Sequence, residues 1–125
     1  MEKKGERGFE LDAHLAFAQP ASREDAERFV AAWGLRPTYY AVNADGSGDV
    51  RAVRLTGTKD ADDVRTLLQM GLEGGTLRSA EVGLRGFLRS PTGSTDYVPW
   101  KRNKILRKDA WNEVAFEEGV KYVLE

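Results

Sequence analysis

Apolar and polar residues alternate near the start of the chain. Every second residue from Phe9 to Phe17 is apolar, and Glu10, Asp12 and His14 stand among the residues between them. A period of two places successive side chains on opposite faces of a strand. The segment therefore predicts a strand with one buried face and one polar face.

Two helices are predicted from apolar positions spaced by three and four residues, which share one helical face. The first begins after Ser22, a favourable N-cap residue, and ends at Gly34. The second begins after Asp60, with more acidic residues in its first turn, where the helix dipole favours negative charge. Their predicted buried faces are Ala26, Phe29, Val30 and Trp33, and Val64, Leu67, Leu68 and Leu72.

Three further strands are indicated. Residues 39–42 and 50–56 are rich in β-branched and aromatic side chains and flank a turn-forming stretch at 44–49, which predicts a hairpin. Between residues 80 and 89, apolar side chains again occupy every second position, over a length sufficient to cross a whole sheet. The order along the chain is therefore βαββαβ.

This order predicts an α+β protein with a ferredoxin-like core, in which an antiparallel sheet carries two helices on one face. The core is expected to comprise residues 8–90. Residues 91–125 are expected to form a C-terminal extension, either a short helix and a strand or a hairpin that turns at 117–119. No boundary is indicated within residues 1–125, so they are predicted to form a single domain.

Composition narrows the possible functions. The chain has 19 basic and 20 acidic residues, a net charge of -1, so its overall charge does not attract nucleic acid or an anionic membrane. It has no cysteine, which excludes disulfides, thiolate metal sites and cysteine nucleophiles. The charged N-terminus does not resemble a signal peptide, and no stretch approaches the roughly 18 apolar residues of a membrane span. We expect a cytoplasmic protein that does not bind membranes.

No catalytic constellation is recognisable. His14 is the only histidine, and neither a Gly-x-Ser-x-Gly elbow nor a glycine-rich phosphate loop occurs. The turn after Val42 matches part of a calcium-binding loop, but Arg54 falls where a glutamate must close the coordination sphere. We therefore predict no catalytic residues, no metal and no cofactor, and the protein is more simply interpreted as a non-enzyme.

The polar face of the first strand carries acidic residues. RNA-recognition domains with this strand order stack bases on aromatic residues of the sheet face, so Glu10 and Asp12 there disfavour RNA binding. If the first and last strands of the core are neighbours, these carboxylates lie across from Arg85 or Arg89. Cross-strand charge pairs are then expected.

The strongest local signal is a basic segment at residues 101–108, with five cations in eight residues. It follows a flexible stretch at 90–96 and two aromatic residues. We predict a non-enzymatic binding or regulatory module that recognises a protein partner through residues 90–108. The predicted binding residues are Tyr97, Trp100, Lys101, Arg102, Lys104, Arg107 and Lys108, together with Arg85 and Arg89.

Other interpretations of the same residues stay open. In one interpretation, the cations form the solvated edge of a strand, where lysine deters pairing between copies. Alternatively, an enzyme or sensor for a small anionic compound would use a pocket between the sheet and the extension, with Arg85, Arg89 or Lys101 holding the anion. A third possibility is nucleic-acid or other polyanion binding by the basic run. A homodimer through an exposed sheet edge is also possible.

Overall fold

The computed structural model describes residues 5–124, apart from the side chains of residues 108, 109 and 112. Within that range, seven strands, two α-helices and one 3₁₀ helix follow one another. The elements are β1 (Glu6–Ala21), α1 (Arg23–Ala31), β2 (Arg36–Ala41), β3 (Val50–Gly57), α2 (Ala61–Glu73), β4 (Leu77–Arg89), β5 (Thr95–Tyr97), β6 (Arg102–Leu106), the 3₁₀ helix Lys108–Glu113 and β7 (Val120–Leu124).

All seven strands belong to one mixed sheet. Its order is β2-β3-β1-β4-β7-β6, and β5 pairs with β4 beside this path. β6 runs parallel to β7, whereas the other neighbours are antiparallel. The predicted ferredoxin-like fold, an antiparallel sheet with an appended extension, is therefore wrong, because one mixed sheet of seven strands includes the extension.

The prediction failed because the C-terminal segment completes the sheet and does not merely extend it. β4 is long, and its edge away from β1 is covered by three pieces of that segment. β7 pairs with Ala80–Gly83, the amide of Gly119 donates to the carbonyl of Leu84 (2.8 Å), and β5 pairs with Phe87–Arg89. Nothing in the local pattern of β4 indicates which later strand its edge will meet.

The extension contains a short helix followed by a terminal strand, as one alternative predicted, but two further strands, β5 and β6, precede them. The short helix is a 3₁₀ helix whose N-cap is Arg107. Gly119 has a φ of 80°, a left-handed conformation that leads the chain into β7. A hairpin is excluded because β6 and β7 are parallel, so the chain must cross over between them.

One hydrophobic core lies on the face of the sheet that α1 and α2 cover. The predicted caps are present: the Ser22 hydroxyl accepts from the amide of Asp25 (3.1 Å) and the Asp60 carboxylate from that of Asp62 (2.8 Å). Val30 of α1 and Trp33, two residues after the helix, are buried, and Phe29 packs edge-to-face against another ring of the core. The extension contributes to the same core with Trp111, Val114, Val120, Tyr122 and Leu124.

No helix within residues 5–124 is long and apolar enough to cross a membrane.

Gly83 allows two close approaches to β4. A Cβ atom at this position would lie 2.3 Å from the carbonyl oxygen of Val120 and 2.8 Å from the ring of Trp100. The first atom belongs to the backbone of β7 and cannot move without displacing that strand. Gly83 therefore permits both the pairing of β7 and the packing of the indole on the sheet.

We expect Gly83→Ala to lower the free energy of unfolding by about 2–3 kcal/mol, because the methyl group overpacks this contact. Urea unfolding followed by circular dichroism measures the loss. Gly34→Ala is the control: its site is open but has a φ of 65°, so backbone strain alone should cost about 1 kcal/mol. A loss at residue 83 no larger than that at residue 34 would contradict the steric explanation.

Candidate functional site

The face of the sheet opposite the helices contains two buried carboxylates. Glu10 and Asp12 alternate with the core residues of β1, yet their side chains are only 5% and 1% exposed. A polar but solvated surface was predicted for this face. Because an unpaired buried charge is costly, both carboxylates require partners that cover them.

Asp12 is neutralised from both sides. Arg54 of β3 binds it in a bidentate manner, with Nε 3.0 Å from Oδ1 and Nη2 2.9 Å from Oδ2. Arg85 of β4 donates to Oδ2 at 3.3 Å. The hydrogen bonds from Arg54 raise the pKa of its guanidinium, so this cation stays charged. One carboxylate in the middle strand thus joins the two strands that flank it.

Glu10 binds more distant elements. Arg36 of β2 donates to its Oε2 at 2.9 Å, and the hydroxyl of Tyr97 in β5 donates to its Oε1 at 2.7 Å. Burial, and the neighbouring Glu10 carboxylate, raise the pKa of Tyr97, because both disfavour a phenolate. Glu10 therefore anchors β5 across the face of β1.

The ring of Tyr97 lies close to two guanidinium groups. Its centroid is 5.0 Å from Arg54 and 5.1 Å from Arg85, within the range of cation–π attraction. Arg85 is also 5.3 Å from the ring of Trp100, and its Nε donates to the carbonyl of Val98 at 3.1 Å. We call residues 97–100 the strap. Arg85 binds the strap on one side and Asp12 on the other.

His14 lies beside this network and is partly exposed. Its Nε2 is 3.6 Å from Oδ1 of Asp12. Burial lowers the pKa of His14, and the opposing attraction of Asp12 does not reverse this shift. Among the described residues, no group of three or more histidine, aspartate or glutamate side chains could hold a metal ion. The arrangement is therefore a network of ion pairs and hydrogen bonds.

The turn between β2 and β3 uses its own polar groups internally. The Asp45 carboxylate accepts hydrogen bonds from the amide and the hydroxyl of Ser47, at 3.0 and 2.6 Å, and these bonds lower the pKa of Asp45. Gly46 and Gly48 have φ angles of 87° and 90°. The residue types that resemble a calcium loop are those that the turn requires.

The predicted binding residues fall into separate groups. Arg85, Tyr97 and Trp100 belong to the network described above and are partly buried. Arg89 lies apart at the end of β4, with Nη1 4.0 Å from a carboxylate oxygen of Glu6. The remaining cations are exposed at β6 or beside it: Lys101, Arg102, Lys104 and Arg107. The side chain of Lys108 lies outside the described residues.

β6 forms one end of the sheet and pairs only with β7 in the described part of the chain. Four of its five residues are exposed, and Ile105 retains 65% of its accessible surface. The amide of Lys101 donates to the carbonyl of Gly119 at 2.8 Å, toward β7. The amide of Gly119 faces Leu84 of β4, so by alternation along β4 and β7 the backbone groups of Lys121 and Val123 face β6, and the amides of Asn103 and Ile105 point to the open side.

Sequence reasoning anticipated part of the network. Arg85 lies opposite Glu10 in the β1–β4 register, as expected, but its ion pair is with Asp12, and Arg89 lies opposite Glu6. Arg54 and Arg36 were missed. Arg54 alternates with buried residues of β3, which places it on the polar face, but only the strand register brings it to Asp12.

Comparisons with protein-family models, with curated proteins and with solved structures find no match to this chain.

We expect Asp12→Asn to lower the free energy of unfolding by about 3 kcal/mol, because two guanidinium groups lose their counter-charge. This loss is near the lower end of the range for breaking a buried ion pair, because the side chains of Arg54 and Arg85 are partly exposed. Urea unfolding measures the change. The control Asp96→Asn alters an exposed carboxylate and should cost less than about 0.5 kcal/mol. Equal stabilities of the two variants would count against a central role for Asp12.

Stability should fall as the pH decreases from 7.5 to 5.5. The pKa of His14 is lower in the folded protein than in the unfolded chain, so the unfolded state takes up a proton first. This contribution is complete above the unfolded pKa, about 6.5, and is lost as the pH falls through the folded pKa. Urea midpoints across this range should decrease more for the wild type than for His14→Gln. Parallel curves would show that His14 does not carry the effect.

Proposed function

We propose that the protein is a non-enzymatic binding module that recognises a protein partner by adding an acidic, extended segment of that partner to the open edge of β6. One observation carries this proposal. The sheet ends in an exposed strand whose outward amides are unpaired within the described chain and whose surroundings are cationic.

An open edge strand offers a row of backbone donors and acceptors to a second strand. Peptides that add to a sheet in this way gain affinity from main-chain hydrogen bonds and specificity from side chains on alternate positions. Arg102 and Lys104 lie on one face of β6, and Ile105 lies on the other. A partner strand would therefore meet cations on one face and an apolar side chain on the other.

Charge selects among possible occupants of this edge. If two copies of β6 paired antiparallel about Lys104, the two lysines would face each other, and like charges directly opposite are destabilising. Arg102 is already paired with Glu117 at 2.9 Å, whereas no ion pair occurs for Lys104 among the described side chains. The edge thus opposes self-pairing and favours a strand with acidic residues.

The edge is also held in place before any partner arrives. β6 is hydrogen-bonded to β7 along its length, and the strap precedes it with contacts to Arg85. A preformed edge avoids the free-energy cost of ordering a loop on binding. This supports recognition of a flexible segment by a rigid strand.

Nucleic-acid binding by the same cations has less support. Single-stranded nucleic acid is bound by cationic grooves combined with aromatic rings on which bases stack. Here Tyr97 and Trp100 both contact Arg85, and Trp100 also packs on Gly83. Because both rings are occupied by these contacts, the cations of β6 have no neighbouring aromatic surface on which bases could stack.

The test is a titration with an eight-residue peptide of alternating glutamate and valine. We expect chemical-shift changes at the amides of residues 102–106 and an affinity that weakens with salt, because exposed charges are screened. The double substitution Lys104→Glu and Arg107→Glu should weaken binding at least tenfold, or by more than about 1.4 kcal/mol. Lys59→Glu with Arg78→Glu, which makes the same change of charge elsewhere, should leave it unchanged.

Two further probes separate strand addition from general attraction. A peptide with two consecutive N-methylated residues keeps its charge but cannot pair along either edge, so it should not bind. Single-stranded DNA should bind more weakly than the acidic peptide at equal ionic strength. Binding of the methylated peptide, or tighter binding of DNA, would refute strand addition and favour a polyanion site.

A further inference from the structure

The apolar face of the sheet continues beyond the helices. Phe9 and Leu88 lie on the same face as the core residues of β1 and β4, two positions or more beyond the last buried ones. Together with Val98 they remain about half exposed. Between them is an open groove with a volume of about 560 Å³, bounded by β1, β4, the strap and the turn before β7.

The floor of this groove depends on a missing side chain. A Cβ atom at Gly86 would lie 3.1 Å from a methyl group of Val98 and 3.4 Å from the ring of Phe9. Glycine thus leaves space between these two side chains. The groove volume lies within the range of ligand sites in proteins, about 300–1,000 Å³.

The rim of the groove carries two cations and one carboxylate. Arg7 lies opposite Leu88 in the β1–β4 register, and Lys101 lies against Gly119 on the other side. Glu118 also lines the groove. The net charge of the rim is therefore positive, which favours an anionic group next to an apolar body.

A second copy of the chain is a poorer occupant. Eleven residues line the groove, whereas a stable protein interface uses about 20–30 residues on each side. The size, the apolar floor and the cationic rim suit a single small molecule better.

We propose that this groove binds a small amphipathic carboxylate, a medium-chain fatty acid in chemical class. Its hydrocarbon chain would lie against Phe9, Leu88 and Val98, and its carboxylate would lie at the rim near Arg7 and Lys101. This ligand site is separate from the β6 edge and does not depend on the function proposed for it.

The experiment titrates the full chain with decanoate and, in parallel, with the neutral decanamide. Methyl chemical shifts identify the site and calorimetry gives the affinity. We expect saturable shifts at Leu88 and Val98 and about fivefold tighter binding of decanoate, the effect of one exposed ion pair. Leu88→Gln should weaken both ligands about tenfold, because apolar contact is lost.

Matched variants keep the outcome interpretable. Met70→Gln changes another exposed apolar side chain and should not alter either affinity. Arg7→Gln with Lys101→Gln should remove the preference for decanoate but preserve decanamide binding, whereas Arg78→Gln should change neither affinity. Lys104→Glu with Arg107→Glu, which disrupts the β6 edge, should leave decanoate binding intact. Equal affinities of the two ligands for the wild type, or no saturable shift at Leu88 and Val98, would overturn the proposal.

Discussion

The structure depends on a negative charge buried in the middle of a sheet. Asp12 lies on β1, between the two strands that supply its arginine partners, and is almost inaccessible to solvent. A carboxylate in this position is tolerated only when it is paired and hydrogen-bonded. The two ion pairs therefore also hold Tyr97 in place, because each arginine contacts the ring of this residue.

Arg85 connects this charge to the proposed binding surface. Its guanidinium contacts Asp12, the carbonyl of Val98 and the rings of the strap, so the strap is held on the sheet by polar contacts. The chain then passes from Trp100 into the β6 edge, with a hydrogen bond from Lys101 to Gly119. The two faces of the sheet thus have different roles: the helical face provides the core and, beyond the helices, the groove, whereas the opposite face positions the edge.

Local patterns predicted local structure well. The alternation of β1 identified its buried side, and Ser22 and Asp60 cap the two helices as expected. These features could be inferred because they depend on residues close together in sequence. The position of Arg85 near the acidic face also followed from simple alternation, once β1 and β4 were taken as neighbours.

The features that were missed depend on contacts between distant segments. The parallel pairing of β6 and β7 converts the predicted antiparallel core into a seven-stranded mixed sheet, and no local pattern specifies that partner. Tyr97 and Trp100 resembled exposed binding residues because they stand next to cations in the sequence. In the fold they turn toward Arg85, whereas the cations of β6 remain outside.

The most direct test of this account is native-state hydrogen exchange in the wild type and in Arg85→Met. If the Asp12–Arg85 pair holds the strap and, through it, the β6 edge, the amides of Val98 and Lys101 should exchange faster in the variant. The amide of Leu68 in α2 should change only as much as global stability does. Equal changes at all three amides, or unchanged exchange at Val98 and Lys101, would contradict the proposed coupling between the buried charge and the edge.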